Sequence, residues 1–186
     1  MKKRTWIIIS LLVIAVSLFI FVEGVYIPDQ EAQREQYQAE QLNPLTHHLD
    51  EVLPYQHPYM GNAGNLSNLF FHLPLQDLSF TFQLYPDELT AALIFDTSAA
   101  QVDQLHLQRS LIYNSTAAFA LIDNLETLRY TFSDDTYIVE RSAVVRQYGE
   151  LSALLEPQIW QATVQDPLKN SAHEQELWRD LVQLSS

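Results

Sequence analysis

Apolar and polar positions divide the chain into an apolar N-terminal run, a polar run and a longer region of periodic pattern. The first run, Trp6 to Val22, has seventeen residues without a charge and follows the cationic start Met1-Lys2-Lys3-Arg4. A helix of that length spans about 25 Å, and residues 24–26 extend it towards the roughly 30 Å of a bilayer core. The pattern predicts a transmembrane anchor over residues 6–26.

A cleaved signal peptide is the alternative interpretation of this segment, because it also combines cations with an apolar run. Its apolar region normally has about 7–15 residues and ends at a small-x-small cleavage site. The sequence Val22-Glu23-Gly24-Val25-Tyr26 offers no good site of that kind, and the absence of cysteine excludes a lipidated N-terminal cysteine. We favour a retained anchor in the cell membrane, with residues 1–5 cytoplasmic and the chain that follows the anchor outside, by the positive-inside rule.

Residues 27–44 are polar and predict a stalk. Glu and Gln dominate the stretch, which has almost no large apolar residue and no core-facing stripe. Both a solvated helix and disorder fit this pattern. Asn43-Pro44 ends any helix, because a residue before proline is disfavoured in the α region. We expect one folded domain over residues 45–156 and a C-terminal tail over residues 157–186.

Within the domain, alternating apolar residues predict two β-hairpins. Residues 78–85 alternate most clearly, and residues 89–96 repeat the pattern after the turn Pro86-Asp87-Glu88. A second pair of strands is predicted over residues 127–132 and 136–140. The hairpins are expected to be antiparallel, giving about four strands.

Helical spacing of apolar residues fills the rest of the domain. It predicts helices over residues 65–73, 102–123 and 142–148, the second of them bent at Asn114-Ser115-Thr116 because these side chains compete for backbone hydrogen bonds. The tail carries a stripe of Leu177, Trp178, Leu181 and Leu184, which predicts an amphipathic helix that docks on the domain or self-associates. The fold class is therefore α+β: an N-terminal transmembrane helix, then a small domain of antiparallel hairpins packed against two to four helices.

The charge of the chain limits its partners. The formal net charge is −13, from 10 basic and 23 acidic residues. Such a surface disfavours nucleic acid and anionic lipid head groups, so no nucleic-acid partner is expected. Solubility is the simplest interpretation of this charge.

Motifs of the common chemistries do not occur in the sequence. None of the six histidines forms a His-Glu-x-x-His or His-x-x-x-His pattern, and no nucleophile elbow or phosphate loop is present. His47 with Asp50 and Glu51 is interpreted as an exposed polar helix edge rather than a metal site. We therefore expect no catalytic residue, no metal and no cofactor.

One loop carries a group of polar and aromatic residues that suits a ligand site. Its candidate ligand-binding residues are Tyr55, His57, Tyr59, Asn62 and Asn65. Loops often carry binding residues on a rigid scaffold. The competing interpretation is structural, because Asn62 and Asn65 also suit a turn and a helix cap.

Several short motifs resemble the bacterial domain-of-unknown-function family 4825, over roughly residues 53–148. They are Tyr59-Met60-Gly61-Asn62, Asn68-Leu69, Leu73-Pro74-Leu75, and Ala117-Ala118-Phe119-Ala120-Leu121-Ile122-Asp123-Asn124 followed by Leu128 and Phe132. The resemblance implies a domain of Gram-positive envelope proteins behind one membrane span or lipid anchor. It also associates the domain with the outer ends of larger membrane sensor-peptidases, although this chain has no such peptidase. It supplies no catalytic residues.

The leading hypothesis is a single-pass membrane protein whose outer domain binds an envelope protein or a small ligand and has a regulatory or sensory role. A hydrolase whose residues meet only in the fold is one alternative. A structural protein that oligomerises through the stalk and the tail is another, and the oligomeric state stays open.

Overall fold

The computed structural model describes residues 2–23 and 27–185. The chain forms two compact units, Met1–Ala39 and Glu40–Ser186. The α+β class predicted from the sequence is confirmed, with an apolar N-terminal helix followed by a small mixed domain.

The first unit is helical. Helix α1 runs over Lys2–Phe21, and its segment Arg4–Phe21 has a mean hydropathy of 2.3, long and apolar enough to cross a membrane. Residues 24–26 of the predicted anchor lie outside the described residues. Helix α2 covers Ile27–Leu42, so the polar stalk is helical and its last residues belong to the second unit.

The second unit is built on one mixed β-sheet. Within the described residues its strands, in spatial order, are β1 (Phe80–Tyr85), β2 (Thr90–Phe95), β3 (Thr127–Thr131), β4 (Thr136–Glu140) and β5 (Val182–Ser185). The two predicted hairpins, β1-β2 and β3-β4, are antiparallel. Strands β2 and β3 pair in parallel, since helix α4 lies between them in the chain and returns it to the same end of the sheet.

One face of the sheet packs against the helices and the other is open. Alternation along each strand sends Leu93 of β2 and Tyr130 of β3 into the core, where they are 2% and 0% exposed. Their neighbours Ala92 and Arg129 point to the open face. This arrangement is usual for a sheet that buries a single side.

Two capped helices support the core. Helix α3 (Ala63–Phe70) starts two residues before the predicted start because Asn62 is the N-cap, its Oδ1 accepting from the N–H of Asn65 at 3.2 Å. Helix α4 (Gln104–Leu121) begins at the N-cap Asp103.

Helix α4 runs as one element through Asn114-Ser115-Thr116, where the sequence predicts a bend. The polar side chains there are buried and have partners. Asn114 Nδ2 donates to Pro74 O at 2.6 Å, Ser115 Oγ and Tyr130 OH lie 2.9 Å apart, and Thr116 Oγ1 donates to Ile112 O at 2.8 Å. Only Thr116 bonds within the helix, so the other two side chains join the helix to its surroundings.

The C-terminal part of the chain completes the second unit instead of forming one continuous helix. It contains α5 (Arg141–Tyr148), α6 (Pro157–Trp160), a π-helical turn (Gln161–Gln165), α7 (Asp166–Leu168) and α8 (Ser171–Leu181). Leu184, which the sequence pattern places on a helical stripe, lies in β5 opposite Tyr137 and is 60% exposed. The helix ends at Leu181 because the extended Val182 pairs with Val139 of β4. Trp160 and Leu177 are buried in the common core.

Candidate functional site

The structure brings the five loop residues predicted as a ligand site into one neighbourhood. Tyr55 ends a short 3-10 helix, Leu53–Tyr55, and His57 forms a parallel bridge to Ile122 just after α4. The N–H of His57 donates to Leu121 O at 2.8 Å, and the N–H of Asp123 donates to His57 O at 3.2 Å. The loop is therefore fixed to the end of α4.

Most polar groups of this loop bond to one another. The N–H of Tyr59 donates to His57 Nδ1 at 3.0 Å, and Asn62 Nδ2 lies 3.4 Å from His57 Nε2. Asn65 Nδ2 donates to Tyr55 O at 2.7 Å. Asn62 and Asn65 thus serve the loop and the start of α3, while the Tyr59 side chain, 66% exposed, projects to solvent. Ligand binding by these five residues stays a prediction.

A groove of about 460 Å³ lies elsewhere on the second unit, between the segment that enters it and the region of α6 and the π-helical turn. Its lining residues are Glu40, Leu45, Thr46, His47, His48, Leu49, Asp50, Pro157, Trp160, Gln161, Gln165 and Lys169. The volume is in the range of about 300–1,000 Å³ found for ligand pockets. Apolar and polar side chains both line it, which suits a small ligand with defined orientation.

His47 forms part of the groove wall and is 2% exposed, so its interpretation as an exposed helix edge is wrong. Its Nε2 lies 2.7 Å from His72 O, and since a carbonyl can only accept, Nε2 carries the proton. Its Nδ1 therefore accepts the hydroxyl hydrogen of Tyr113, at 2.8 Å. Burial lowers the pKa of His47 to about 4, because the charged imidazolium would lose its hydration.

Trp160 and Gln165 form the opposite side of the groove. Trp160 packs edge-on against Tyr113, with ring centroids 5.1 Å apart, and among the described residues its indole N–H has no hydrogen-bond partner. Gln165 Nε2 donates to Pro44 O at 3.1 Å and to His47 O at 2.9 Å. The π-helical turn Gln161–Gln165 ends at this glutamine. Such turns are rare in proteins as a whole, and those that occur are often at functional sites.

The rim of the groove carries ionisable groups. His48 Nε2 lies 3.6 Å from a carboxylate oxygen of Glu40, and Lys169 Nζ lies 2.7 Å from Asp166 Oδ1. Asp50 is exposed on the same rim. In the part of the chain that the structure describes, no three His, Cys, Asp or Glu residues cluster in a way that would hold a metal ion.

The open face of the sheet forms another concavity, of about 420 Å³. Arg129 is one of its lining residues, with its guanidinium 5.6 Å from the Tyr85 ring centroid and 3.3 Å from a carboxylate oxygen of Glu88. Threonine hydroxyls and the apolar side chains of Ile94 and Ile138 surround it. Both ion-pair partners are partly exposed, so this contact is weak.

Sequence reasoning missed the groove because its walls come from distant parts of the chain. Gln165 bonds to backbone groups 118 and 121 residues earlier. No local sequence pattern predicts a π-helical turn. The one usable signal was His47, shortly after the stalk, which the sequence interpretation assigned with Asp50 and Glu51 to an exposed helix edge.

One comparison with known proteins gave a match. A family model described as "Domain of unknown function (DUF4825)" matches residues 52–144, half of the chain. No curated protein matches the chain, and no solved structure matches it. The matched segment includes the predicted loop, β1 to β4 and α4, whereas every residue that lines the groove lies outside it.

Proposed function

This chain belongs to the DUF4825 family, and we propose that it is a single-pass membrane protein whose outer domain binds a ligand or partner protein in the groove and thereby regulates a process of the bacterial cell envelope. The observation that carries the proposal is the groove itself. It is a pocket of ligand size with a buried aromatic wall, formed by the two segments that flank the family domain.

The proposed topology rests on the N-terminal helix. Lys2, Lys3 and Arg4 precede the apolar segment, and the first acidic residue, Glu23, follows it. Cationic residues on one side of a span favour the cytoplasmic side, so residues 27–186 lie outside the membrane in this proposal. The envelope context follows from that placement and agrees with what the family resemblance implies.

The groove has the means to bind a small polar molecule or the end of a peptide chain. Leu45 contributes apolar contact, and Trp160, 1% exposed, forms a buried aromatic wall that packs edge-on against Tyr113. The exposed side chains of Asp50, Gln161 and Lys169 add groups of both charge signs around the opening. A ligand that offers a hydrogen-bond acceptor and an apolar part fits this combination.

The position of the groove also suits a sensor. Glu40, near the end of α2, and residues 45–50 that follow it form one wall, so ligand contacts there act on the segment that continues from the stalk. Since this wall is held by Gln165 and Tyr113, a ligand that competes for these contacts changes how firmly the segment is held. The change is local, and it can affect the anchor because the segment is covalently continuous with the stalk and the anchor.

Photocrosslinking of the full-length protein in cells tests the proposal. A photoreactive amino acid replaces Asp50 on one wall or Gln161 on the other, and Gln147 on α5, exposed and outside the groove, is the matched control. We expect the same molecule to be captured from positions 50 and 161 but not from position 147. Capture from position 50 should be lost when the chain also carries Gln161→Trp, and capture from position 161 should be lost with Asp50→Trp. Equal capture at all three positions, or none, would contradict the proposal. Chemical turnover of the captured molecule would favour the hydrolase instead.

A further inference from the structure

Strand β1 is an unprotected edge of the sheet. It pairs with β2 on one side, and no other described strand pairs with it. From Ser79 to Tyr85 the sequence contains no charge, proline or glycine, which are the usual devices that keep an edge strand from pairing with another chain. The other edge, β5, is only four residues long.

The backbone groups that point outward from β1 follow from the pairing pattern. The N–H of Asp96 donates to Ser79 O at 3.1 Å, so Ser79 and Asp96 form a hydrogen-bonded pair. Such pairs alternate along an antiparallel ladder, which assigns the next hydrogen-bonded pairs to Thr81, Gln83 and Tyr85. The N–H and C=O groups of the residues between them, Phe80, Phe82 and Leu84, therefore point away from β2.

The side chains beside this edge leave apolar surface incompletely covered. Phe80, Phe82 and Leu84 pack on the core but are only partly buried. Phe71, which stacks on Phe80 with ring centroids 5.1 Å apart, is 50% exposed. A further strand with apolar residues at alternate positions would cover this flank and satisfy the outward backbone groups.

We propose that β1 pairs with β1 of a second copy of this chain, antiparallel and about a two-fold axis at Phe82. In this register Phe80 lies opposite Leu84 of the second copy, and Phe82 lies opposite its equivalent. The outward backbone groups then form hydrogen-bonded pairs, and the core faces of both sheets lie on the same side, as the alternation of strands requires. The uncharged strand complements itself in this register, because apolar side chains meet apolar ones on the core face and Thr81 meets Gln83 on the open face, and this match favours a second copy as the occupant.

Charges at the two ends of β1 limit the strength of this contact. Asp77 and Asp87 lie opposite each other in the same register, and both are exposed. Their repulsion, added to the net charge of −13 on each copy, is screened by salt. We expect the dimer of the full-length protein in detergent to be tighter at about 0.5 M salt than at about 0.05 M salt.

Disulfide crosslinking tests the register. The chain has no cysteine, so each introduced thiol is unique. Thr81 faces Gln83 of the second copy in a non-hydrogen-bonded pair, where Cα atoms are about 4.5 Å apart and a disulfide can form. In membranes that contain full-length Thr81→Cys together with full-length Gln83→Cys, we expect a crosslinked dimer. Each variant alone places its thiols diagonally, about 7–8 Å apart, and is expected to give far less.

Charge variants test the same contact without oxidation. Thr81 and Gln83 are exposed, so both double variants keep the fold. Thr81→Lys with Gln83→Lys sets lysines opposite each other and is expected to weaken the dimer about tenfold, whereas Thr81→Glu with Gln83→Lys sets opposite charges together and keeps it. If only repulsion between the net charges mattered, the double-lysine variant would form the tighter dimer, because it is the less negative protein.

Sedimentation and light scattering of the full-length protein in detergent give the oligomeric state. A wild-type monomer at micromolar concentration would overturn the proposal, as would crosslinks that form equally from either cysteine variant alone or from Gln147→Cys. Pairing of β1 with a different protein, while the purified chain stays monomeric, would also overturn it.

Discussion

His47 and Tyr113 are joined by a buried hydrogen bond of 2.8 Å between the imidazole Nδ1 and the phenol hydroxyl. The two residues are 66 positions apart in the chain. His47 belongs to the segment that enters the second unit, and Tyr113 lies on the central helix α4. Because His47 also donates to His72 O, this one side chain holds the entering segment to two other parts of the core.

The first prediction concerns pH. The pKa of His47 is lowered to about 4 in the folded protein, from 6.5 in the unfolded chain, so the unfolded state binds the proton more readily. The free energy of unfolding therefore falls as the pH drops from 6.5, and the loss is complete near pH 4. By linkage the full loss is on the order of 3 kcal/mol.

Urea denaturation of the full-length protein in detergent, followed by tryptophan fluorescence between pH 7 and pH 4, measures this dependence. His47→Gln retains a donor and an acceptor but does not titrate, so its curve should be flatter than that of the wild type over this range. Carboxylates contribute equally to both curves and cancel in the difference. Parallel curves would show that His47 is not the group responsible.

Two tyrosine hydroxyls provide a matched pair for the second prediction. Tyr113→Phe leaves the buried Nδ1 of His47 without its donor, and we expect a loss of about 1–3 kcal/mol in the free energy of unfolding. Tyr148→Phe removes a buried hydroxyl whose interaction with Thr116 falls short of hydrogen-bond geometry, and burial raises the pKa of that phenol to about 12. Its effect should stay within about 0.5 kcal/mol. Denaturation at pH 7 measures both losses in the free energy of unfolding, and a larger loss for Tyr148→Phe than for Tyr113→Phe would contradict the prediction.

The third prediction concerns Arg141, which closes the C-terminal end of α4. Its Nε donates to Leu125 O at 2.6 Å, its Nη2 donates to Ile122 O, and its guanidinium lies 5.4 Å from the Phe119 ring centroid. Lysine cannot reproduce this planar fork, so Arg141→Lys should lower the free energy of unfolding by about 2 kcal/mol although the charge is kept.

Arg146→Lys on the same helix is the control for Arg141, since Arg146 is exposed and its substitution should change stability by less than about 0.5 kcal/mol. Thermal unfolding followed by circular dichroism compares the two variants. Equal midpoints would mean that the contacts of Arg141 do not stabilise the end of α4.

The fourth prediction is a gain in stability from Glu174→Gln. Glu174 is 1% exposed, its Oε1 has no hydrogen-bond partner among the described residues, and burial raises the pKa of its carboxyl, although Arg109 opposes the shift. A raised pKa means that the folded state favours the protonated acid, so stability is lost as pH rises through that pKa. The neutral amide should therefore stabilise the protein at pH 7, by at most about 1 kcal/mol because Arg109 already offsets part of the cost of burying the carboxylate.

The pH dependence separates this effect of Glu174 from a change in packing. The advantage of Glu174→Gln should shrink as the pH falls and the wild-type carboxyl takes up a proton. Glu176→Gln, two positions along α8 and exposed, should show little change at either pH. A gain that stays constant with pH would point to packing instead.

Local sequence patterns alone predicted much of the fold. Alternation over residues 78–85 and 89–96 gave the first hairpin, and spacing over residues 102–123 gave α4, because these patterns report which face of a strand or helix is buried. The family motifs between Tyr59 and Phe132 agreed with the match over residues 52–144. The sequence also predicted an N-terminal helix able to span a membrane, since the length and composition of a segment decide whether a helix can cross a bilayer.

The tertiary structure decided what depends on residues that are far apart in the chain. Burial of His47, the partners of Gln165, the parallel pairing of β2 with β3 and the addition of β5 all join segments whose contact no local pattern encodes. The same holds for the β1 edge, which is defined by the absence of a neighbouring strand among the described residues. A periodic pattern specifies that a face is buried, whereas the choice of the surface that buries it is made only when the whole chain packs.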